Sequence, residues 1–460
     1  MKLIYKILGV VISLLFAVSG VNESVIGYTE GEPIKATKID YVFDDDKLLI
    51  GAYYADPNCL ELAKEAGIEF FIESSVNQAL LDNCARLGIG IIAGGYNLQR
   101  GYGSLSDSVR DNWVNFDMTN YKDHAALWGD DLIDEPGADS FASIAAALNA
   151  YHSKAKGKIG LVNLFPAYAN NEQLNEETDM DSFKNFMLFG AGCGEEADRF
   201  KKYTSDYINT IDTDYICVDI YPMNEEIDNS GKLVKTTNSG WLRNLDILAE
   251  ACRETGRSLW VITQAAGLTN SGEKGSGNPR WCDETSDISQ QAYASLAFGA
   301  GAIIHAEFAA KGWWDMDSHM IGADGKPTDT YDAVKAVDKD LAAFAGVYGK
   351  YEYSSTYLIN SHRAAGFTTG KLAVQKADDV INIVSRNALL VGCFKNGRDK
   401  AYVVTNMEEL ENNVTATALY KVPAGKSVTL YQKGEISTFS SGETIKLTLD
   451  PGEGVYMTVK

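Results

Sequence analysis

Residues 126–165 read ALWGDDLIDEPGADSFASIAAALNAYHSKAKGKIGLVNLF. The run ALWGDDLI (126–133) is apolar around its acids, and KIGLVNLF (158–165) is apolar almost throughout. Between them SFASIAAALNAYHSK (140–154) repeats its apolar residues with a helical period. Pro136-Gly137 interrupts the first run, and Asp139 or Ser140 can cap the helix that follows. Strand, helix, strand in this order is a βαβ unit, and its two strands run parallel.

The same grammar extends in both directions. Upstream lie LLIGAYY (48–54), IEFFIE (68–73) and IGIIAGGY (89–96); downstream lie DYICVDIY (214–221), SLWVITQA (258–265) and GAIIHAEF (301–308). Eight β-then-α units in about 300 residues predict a (β/α)8 barrel. Continuous apolar strands suit a parallel sheet covered on both faces. A doubly wound open sheet has fewer strands, and no glycine-rich phosphate loop follows the first strand. Helix-to-strand links are short, as in EAGIEF, RLGIGI and ETGRSLW, whereas the links 166–181, 222–240, 266–285 and 309–328 are long. Long strand-to-helix loops belong at the C-terminal rim of a barrel, where active sites form.

After about residue 350 the pattern changes to alternation, in AYVVTN, TATALYKV, SVTLYQK, TIKLTLD and GVYMTVK, with an Asn-Gly hairpin signal in CFKNGRDKAYVV. The expected organisation is a signal peptide at 1–20, an N-terminal extension at 21–47, a barrel at 48–350 and a C-terminal antiparallel β-sandwich at 351–460 that packs against the barrel. MKLIYKILGVVISLLFAVSG opens with Lys2 and Lys6, continues with an apolar run and ends on the small residues Ser19 and Gly20. That is the form of a cleaved export signal, too short for a membrane span of ~20 residues, so the chain is expected outside the cell with no span in its mature form.

Composition narrows the partners. A net charge of −22 argues against nucleic acid and leaves uncharged polymers such as glycans open. The 7 cysteines have no CxxC spacing, which suits small buried hydrophobes better than a disulfide framework or a zinc site. The 5 histidines form neither HExxH nor His-x-His. There is no GxSxG elbow and no P-loop, and DMDSHMIGADGK lacks the ligand spacing of an EF-hand. Carboxylates and aromatics at strand ends remain.

Glycoside hydrolysis uses such a set without a cofactor. One carboxylic acid protonates the leaving oxygen, a second carboxylate stabilises or attacks the oxocarbenium-like centre, and aromatic rings stack on sugar C–H faces. Tyr96, Trp281, Trp313 and Trp314 stand beyond strand ends as candidate platforms, while Trp128 and Trp260 lie within strands and fit core packing. In GAIIHAEF, alternation with Ile304, Ala306 and Phe308 towards the helices would turn His305 and Glu307 into the barrel mouth. The same parity puts Asp219 and Tyr221 on the inward face of strand six, and Glu73 ends strand two.

WGDDLIDEP, VNLFPAYA, DIYPM, LWVITQ and GAGAIIHAEFAAKGWW, in this order, resemble bacterial TIM-barrel glycoside hydrolases. The similarity is to the family 42 β-galactosidase-like group, over roughly residues 48–350. The resemblance implies Glu135 as the general acid/base, following Asp134 where the clan has Asn. It implies a nucleophile at the end of strand seven, where this chain carries Gln264, an amide too weak for that role. Gln264 is therefore an expected sugar contact, with Asp134, Tyr221 and His305. The second carboxylate is expected to be Glu307, then Asp219, then Glu73. Strands four and eight face each other across the barrel, which favours a wide carboxylate gap and inversion. The substrate expected is an oligo- or polysaccharide. A rival reading is a non-catalytic glycan-binding protein on a degenerate barrel.

Overall fold

The computed structural model describes residues 32–73, 76–94, 121–174, 193–227, 230–231, 233–237, 240–268, 276–279, 282–309, 316–317, 319–360 and 383–460. Eight parallel strands close into a barrel: β1 (Leu49–Tyr53), β2 (Phe70–Glu73), β3 (Gly90–Ala93), β4 (Leu127–Asp134), β5 (Ile159–Leu164), β6 (Tyr215–Ile220), β7 (Ser258–Gln264) and β8 (Ala300–Ala306). β1 pairs with β8 to complete the ring. Around it lie α1 (Leu60–Ala66), α2 (Gln78–Leu87), α3 (Phe141–Lys154), α4 (Cys193–Thr210), α5 (Trp241–Thr255), α6 (Thr285–Ala297) and α7 (Asp329–Ala342).

Local chemistry explains the short links. Gly67 and Gly256 end α1 and α5 in the left-handed conformation that glycine adopts without a Cβ clash, so the chain turns straight into the next strand. Asn77 caps α2 by accepting from the backbone N–H of Leu80, and Thr328 caps α7 by accepting from that of Tyr331. Ser140 stands at the cap position of α3, but its hydroxyl makes no capping bond and donates to Asp139 instead.

Two apolar layers are separated by the barrel wall. Inside pack Leu49, Phe70, Ile159, Tyr215, Trp260 and Ala302, with Ile72, Ile92, Leu161, Cys217, Ile262 and Ile304 above them. Trp128 and Trp260 are core residues: the Trp128 ring lies 5.6 Å from Phe70, and Trp260 lies 5.4 Å from Tyr215. Residues 34–43 run across the N-terminal face as a strap. Ala36 N–H donates to Thr255 and Val42 N–H to Gly157, Thr37 Oγ1 donates to Asp212, and the Tyr41 hydroxyl donates to Asp214. Phe43 then stacks on Trp128 at 4.4 Å and closes the lower end. The C-terminal ends of the strands lie at the opposite end of the barrel.

The C-terminal region is a sandwich of two antiparallel sheets. One has six strands in the order β9 (Glu352–Ile359), β11 (Leu389–Asn396), β12 (Asp399–Asn406), β17 (Gly454–Val459), β14 (Val428–Gln432), β15 (Glu435–Phe439). The other has three, β10 (Ile383–Ser385), β13 (Ala416–Lys421) and β16 (Thr444–Leu449). Val391, Val404, Leu447 and Met457 fill the space between them. The other face of the six-stranded sheet joins the main core: Tyr456 stacks on Phe344 at 4.9 Å, and Thr356 Oγ1 donates to the Ala297 carbonyl. Gly392 passes so close to Ala297 that a Cβ there would lie 2.4 Å from its carbonyl oxygen. Cys59, Cys84, Cys217, Cys252, Cys282 and Cys393 are buried thiols that form no disulfide with one another. Among the described residues no helix is long and apolar enough to cross a membrane.

Candidate active site

The end of β4 decides the site. Asp131 pairs with Leu161 and Asp134 with Asn163, but the register slips between Asp131 and Ile133. This irregularity sends Leu132 and Ile133 both into the helix layer, and it leaves Asp131 and Asp134 on the inward side with Leu161 and Asn163. Asp130 falls on the other face. It is buried beside Tyr151 of α3 and Lys158, and burial pushes its carboxyl up to about 7. The acids of the opening segment therefore divide, Asp130 lying behind the wall and Asp131, Asp134 and Glu135 lying at the mouth.

Glu135 leaves the strand with a positive φ of 50°, and its N–H donates to the Asn163 carbonyl at 2.8 Å. A non-glycine residue held there carries backbone strain, which the surrounding bonds must offset. Tyr203 of α4 helps, donating its hydroxyl to the Pro136 carbonyl at 2.6 Å. Asn163 is inward because Ile159 and Leu161, four and two residues before it, line the barrel. Its Nδ2 donates to Asp134 at 2.9 Å and to Asp219 of β6 at 3.1 Å.

Asp219 is 6% exposed. Burial, and then the Asp134 charge, push its carboxyl up to about 7 against the stabilising Asn163 bond. Tyr221 packs against the barrel interior; burial, followed by Asp219, Tyr168, Asp134 and Glu135, raises its hydroxyl well above the phenol range. Tyr53 at the end of β1 is raised likewise by burial, then by Asp134 and Asp131. Tyr168, in the loop after β5, keeps 48% of its surface exposed, while burial of its hydroxyl and then Asp219 and Glu135 hold it neutral. The mouth thus gathers Asp131, Asp134, Glu135 and Asp219 with three phenols and one amide. Such a set can hold a proton near neutrality and pass it to an oxygen leaving group.

The sequence-derived residues divide accordingly. Asp134, Glu135, Asp219 and Tyr221 meet at the mouth. Glu307 follows β8 and is buried, its Oε1 lying 3.1 Å from His319 Nδ1. His305 faces the other way. Ile304 and Ala306 line the barrel interior, so His305 points into the helix layer, where its Nε2 lies 2.9 Å from Asp338 of α7 and its Nδ1 lies 3.3 Å from Thr263 Oγ1. The expectation of a sugar contact at His305 is therefore corrected to a buried strand–helix tie. Gln264 is corrected too. Its Oε1 accepts from the Met223 N–H at 3.0 Å and its Nε2 donates to the Met223 carbonyl at 3.2 Å, so both ends of the amide anchor the rim. Glu73 is the last residue of β2. Tyr96, Trp281, Trp313 and Trp314 lie outside the described residues.

Asn163, Tyr53 and Tyr168 did not emerge from the sequence. The parity of Ile159 and Leu161 carried the signal for Asn163; Tyr168, in a loop, had none. Among the described residues, no group of three or more His, Cys, Asp or Glu side chains could hold a metal ion.

No protein-family model matches the chain, and no curated protein sequence does. Solved structures are similar in fold. A family 42 β-galactosidase from G. stearothermophilus is 10% identical, covering 92% of this chain and 99% of that one, with a TM-score of 0.49. A β-galactosidase from Bacillus circulans sp. alkalophilus is 9% identical over 90% of this chain and 99% of that one, at 0.47. A glycoside hydrolase family 5 protein from Bacteroides vulgatus is 10% identical over 92% and 95%, at 0.44.

Proposed function

We propose that the chain is an exported glycoside hydrolase acting on an oligo- or polysaccharide, with Glu135 as general acid/base and Asp219 as the second carboxylate. The observation that carries this reading is the Asp134–Asn163–Asp219 bridge beside Glu135, at the C-terminal end of the barrel strands. Two carboxyl groups at such a mouth supply the two functions that glycoside cleavage needs. Asp219 takes precedence over Glu307, because Asp219 is joined to the β4 acids while Glu307 is buried against His319. The half-exposed ring of Tyr168 offers a flat apolar face to a sugar. The apolar segment at 7–18, behind Lys2 and Lys6, supports export.

The test is turnover by the secreted protein on a broad panel of glycosides and polysaccharides, with Glu135→Gln, Asp219→Asn and Glu307→Gln alongside. Loss of turnover in the first two and its survival in the third supports the assignment. Sugar binding without turnover in the unaltered protein makes it a glycan-binding barrel instead. N-terminal sequencing of the secreted form tests cleavage near Ser19–Gly20.

A further inference from the structure

The geometry points to Asn163 as a positioning residue that joins Asp134 and Asp219 into one unit holding a single proton. The catalytic meaning of the unit rests on the glycosidase reading; its existence does not.

Asn163 is 2% exposed, and the two hydrogen bonds of its side chain leave from one atom, Nδ2, to two carboxylates. Its Oδ1 has no partner among the described residues. This orientation turns the amide's donors to the acids, whereas its carbonyl oxygen would be repelled by whichever carboxylate is charged. Contrast Gln264, the amide on the neighbouring inward position of β7, whose two ends both go to the backbone of Met223. A structural amide braces peptide groups. Among the described residues, the Asn163 side chain braces no peptide group, and both of its hydrogen bonds go to acids.

Two carboxylate oxygens within reach of one nitrogen are close neighbours, and burial strengthens their repulsion. Among the described residues, the groups facing Asp219 offer no relief. They are Asp134 and Glu135 from β4, Tyr168 from the loop after β5, Tyr203 from α4, and Cys217 and Tyr221 from its own strand. None of these is a cation, and burial keeps the phenols and the thiol neutral. The pair relieves its repulsion by keeping one proton. Asn163 limits how tightly that proton is held, since its N–H groups favour the charged form of each acid. Burial first, then the Asp134 charge, push the Asp219 carboxyl up to about 7 against the Asn163 bond. Near neutral pH the pair gives up that proton readily, and Asp219 then stands as the charged second carboxylate beside Glu135.

Carboxyl-carbon NMR on protein labelled at aspartate tests the unit without requiring any substrate. The Asp219 resonance is assigned by its loss in Asp219→Asn. In the unaltered protein it should titrate near neutrality. Asp134→Asn should lower its proton affinity at least tenfold by removing the like charge, and Asn163→Ala should raise it severalfold by removing the bond to the anion. Asp219 titrating in the ordinary carboxylate range, or unmoved by Asp134→Asn, overturns the unit. An Asn163→Ala protein that melts lower yet titrates unchanged makes Asn163 merely structural. Should Asn163→Ala not fold, the isosteric Asp134→Asn decides alone. An intact titration pattern with no turnover on any glycoside overturns the glycosidase reading and leaves the proton unit standing.

Discussion

Replacing Asp219 with asparagine should stabilise the fold at alkaline pH while removing activity. The folded carboxyl is pushed from 3.8 to about 7, mainly by burial and then by Asp134. Between about pH 4 and pH 7 the unfolded chain has lost this proton and the folded chain keeps it. The folded state then binds more protons, so stability falls as pH rises through this window. Above the folded value the full penalty applies. A displacement of roughly three pH units at 1.36 kcal/mol each sets a ceiling of about 4 kcal/mol. An amide at this position carries no charge and escapes the penalty, and it still presents a carbonyl oxygen to Asn163 Nδ2. Melting curves of Asp219→Asn and the unaltered protein should nearly coincide at pH 4, with the variant melting several degrees higher at pH 8. Asp130 has the same displacement, but it is common to both proteins and cancels. A melting-temperature difference that is the same at both pH values would refute the reasoning.

Glu135→Gln should lower turnover on unactivated glycosides by ~10²–10⁴-fold with little change in melting temperature. Steady-state kinetics beside circular dichroism reads both. Asp338→Ala should destabilise the protein by about 1–3 kcal/mol, because it removes the hydrogen-bond partner of the fully buried His305 Nε2. Denaturant unfolding measures the loss, and a change confined to KM would return His305 to the sugar site. Gly392→Val should cost about 1–3 kcal/mol or more by pushing the six-stranded sheet off the Ala297 backbone. Its signature is easier proteolytic separation of the sandwich from the barrel.

The strands were legible because parallel barrel strands are buried on both faces, and each appears as a continuous apolar run. The same property hid the direction of β8. Ile303 and Ile304 are equally apolar, yet one packs under helices and the other lines the barrel. Composition cannot distinguish two dry faces; registration with β1 and β7, where Ala52 and Thr263 flank His305, does. In β6 the reading succeeded, with Asp219 and Tyr221 continuing the inward series of Tyr215 and Cys217. In β4 regular alternation does not hold. The register slip after Asp131 adds a residue that regular alternation cannot anticipate, so Asp130 went behind the wall while Asp131 and Asp134 stayed on the same side. Asn163 was overlooked because an amide inside an apolar run carries no charge to draw notice, although it joins the acids on either side.

The Gln264–Met223 clamp bears on how this barrel can evolve. Gln264→Glu is a single-nucleotide change from either glutamine codon, and it would put a carboxylate at the strand-seven terminus. The amide there donates to one peptide group and accepts from the same residue. A carboxylate keeps the acceptor half, but it turns a second oxygen towards the Met223 carbonyl, a loss of about 1–3 kcal/mol in a buried setting. Selection for a strand-seven acid therefore has to rebuild the rim around Met223 first. Until it does, the β4 and β6 acids are the ones that small changes can tune.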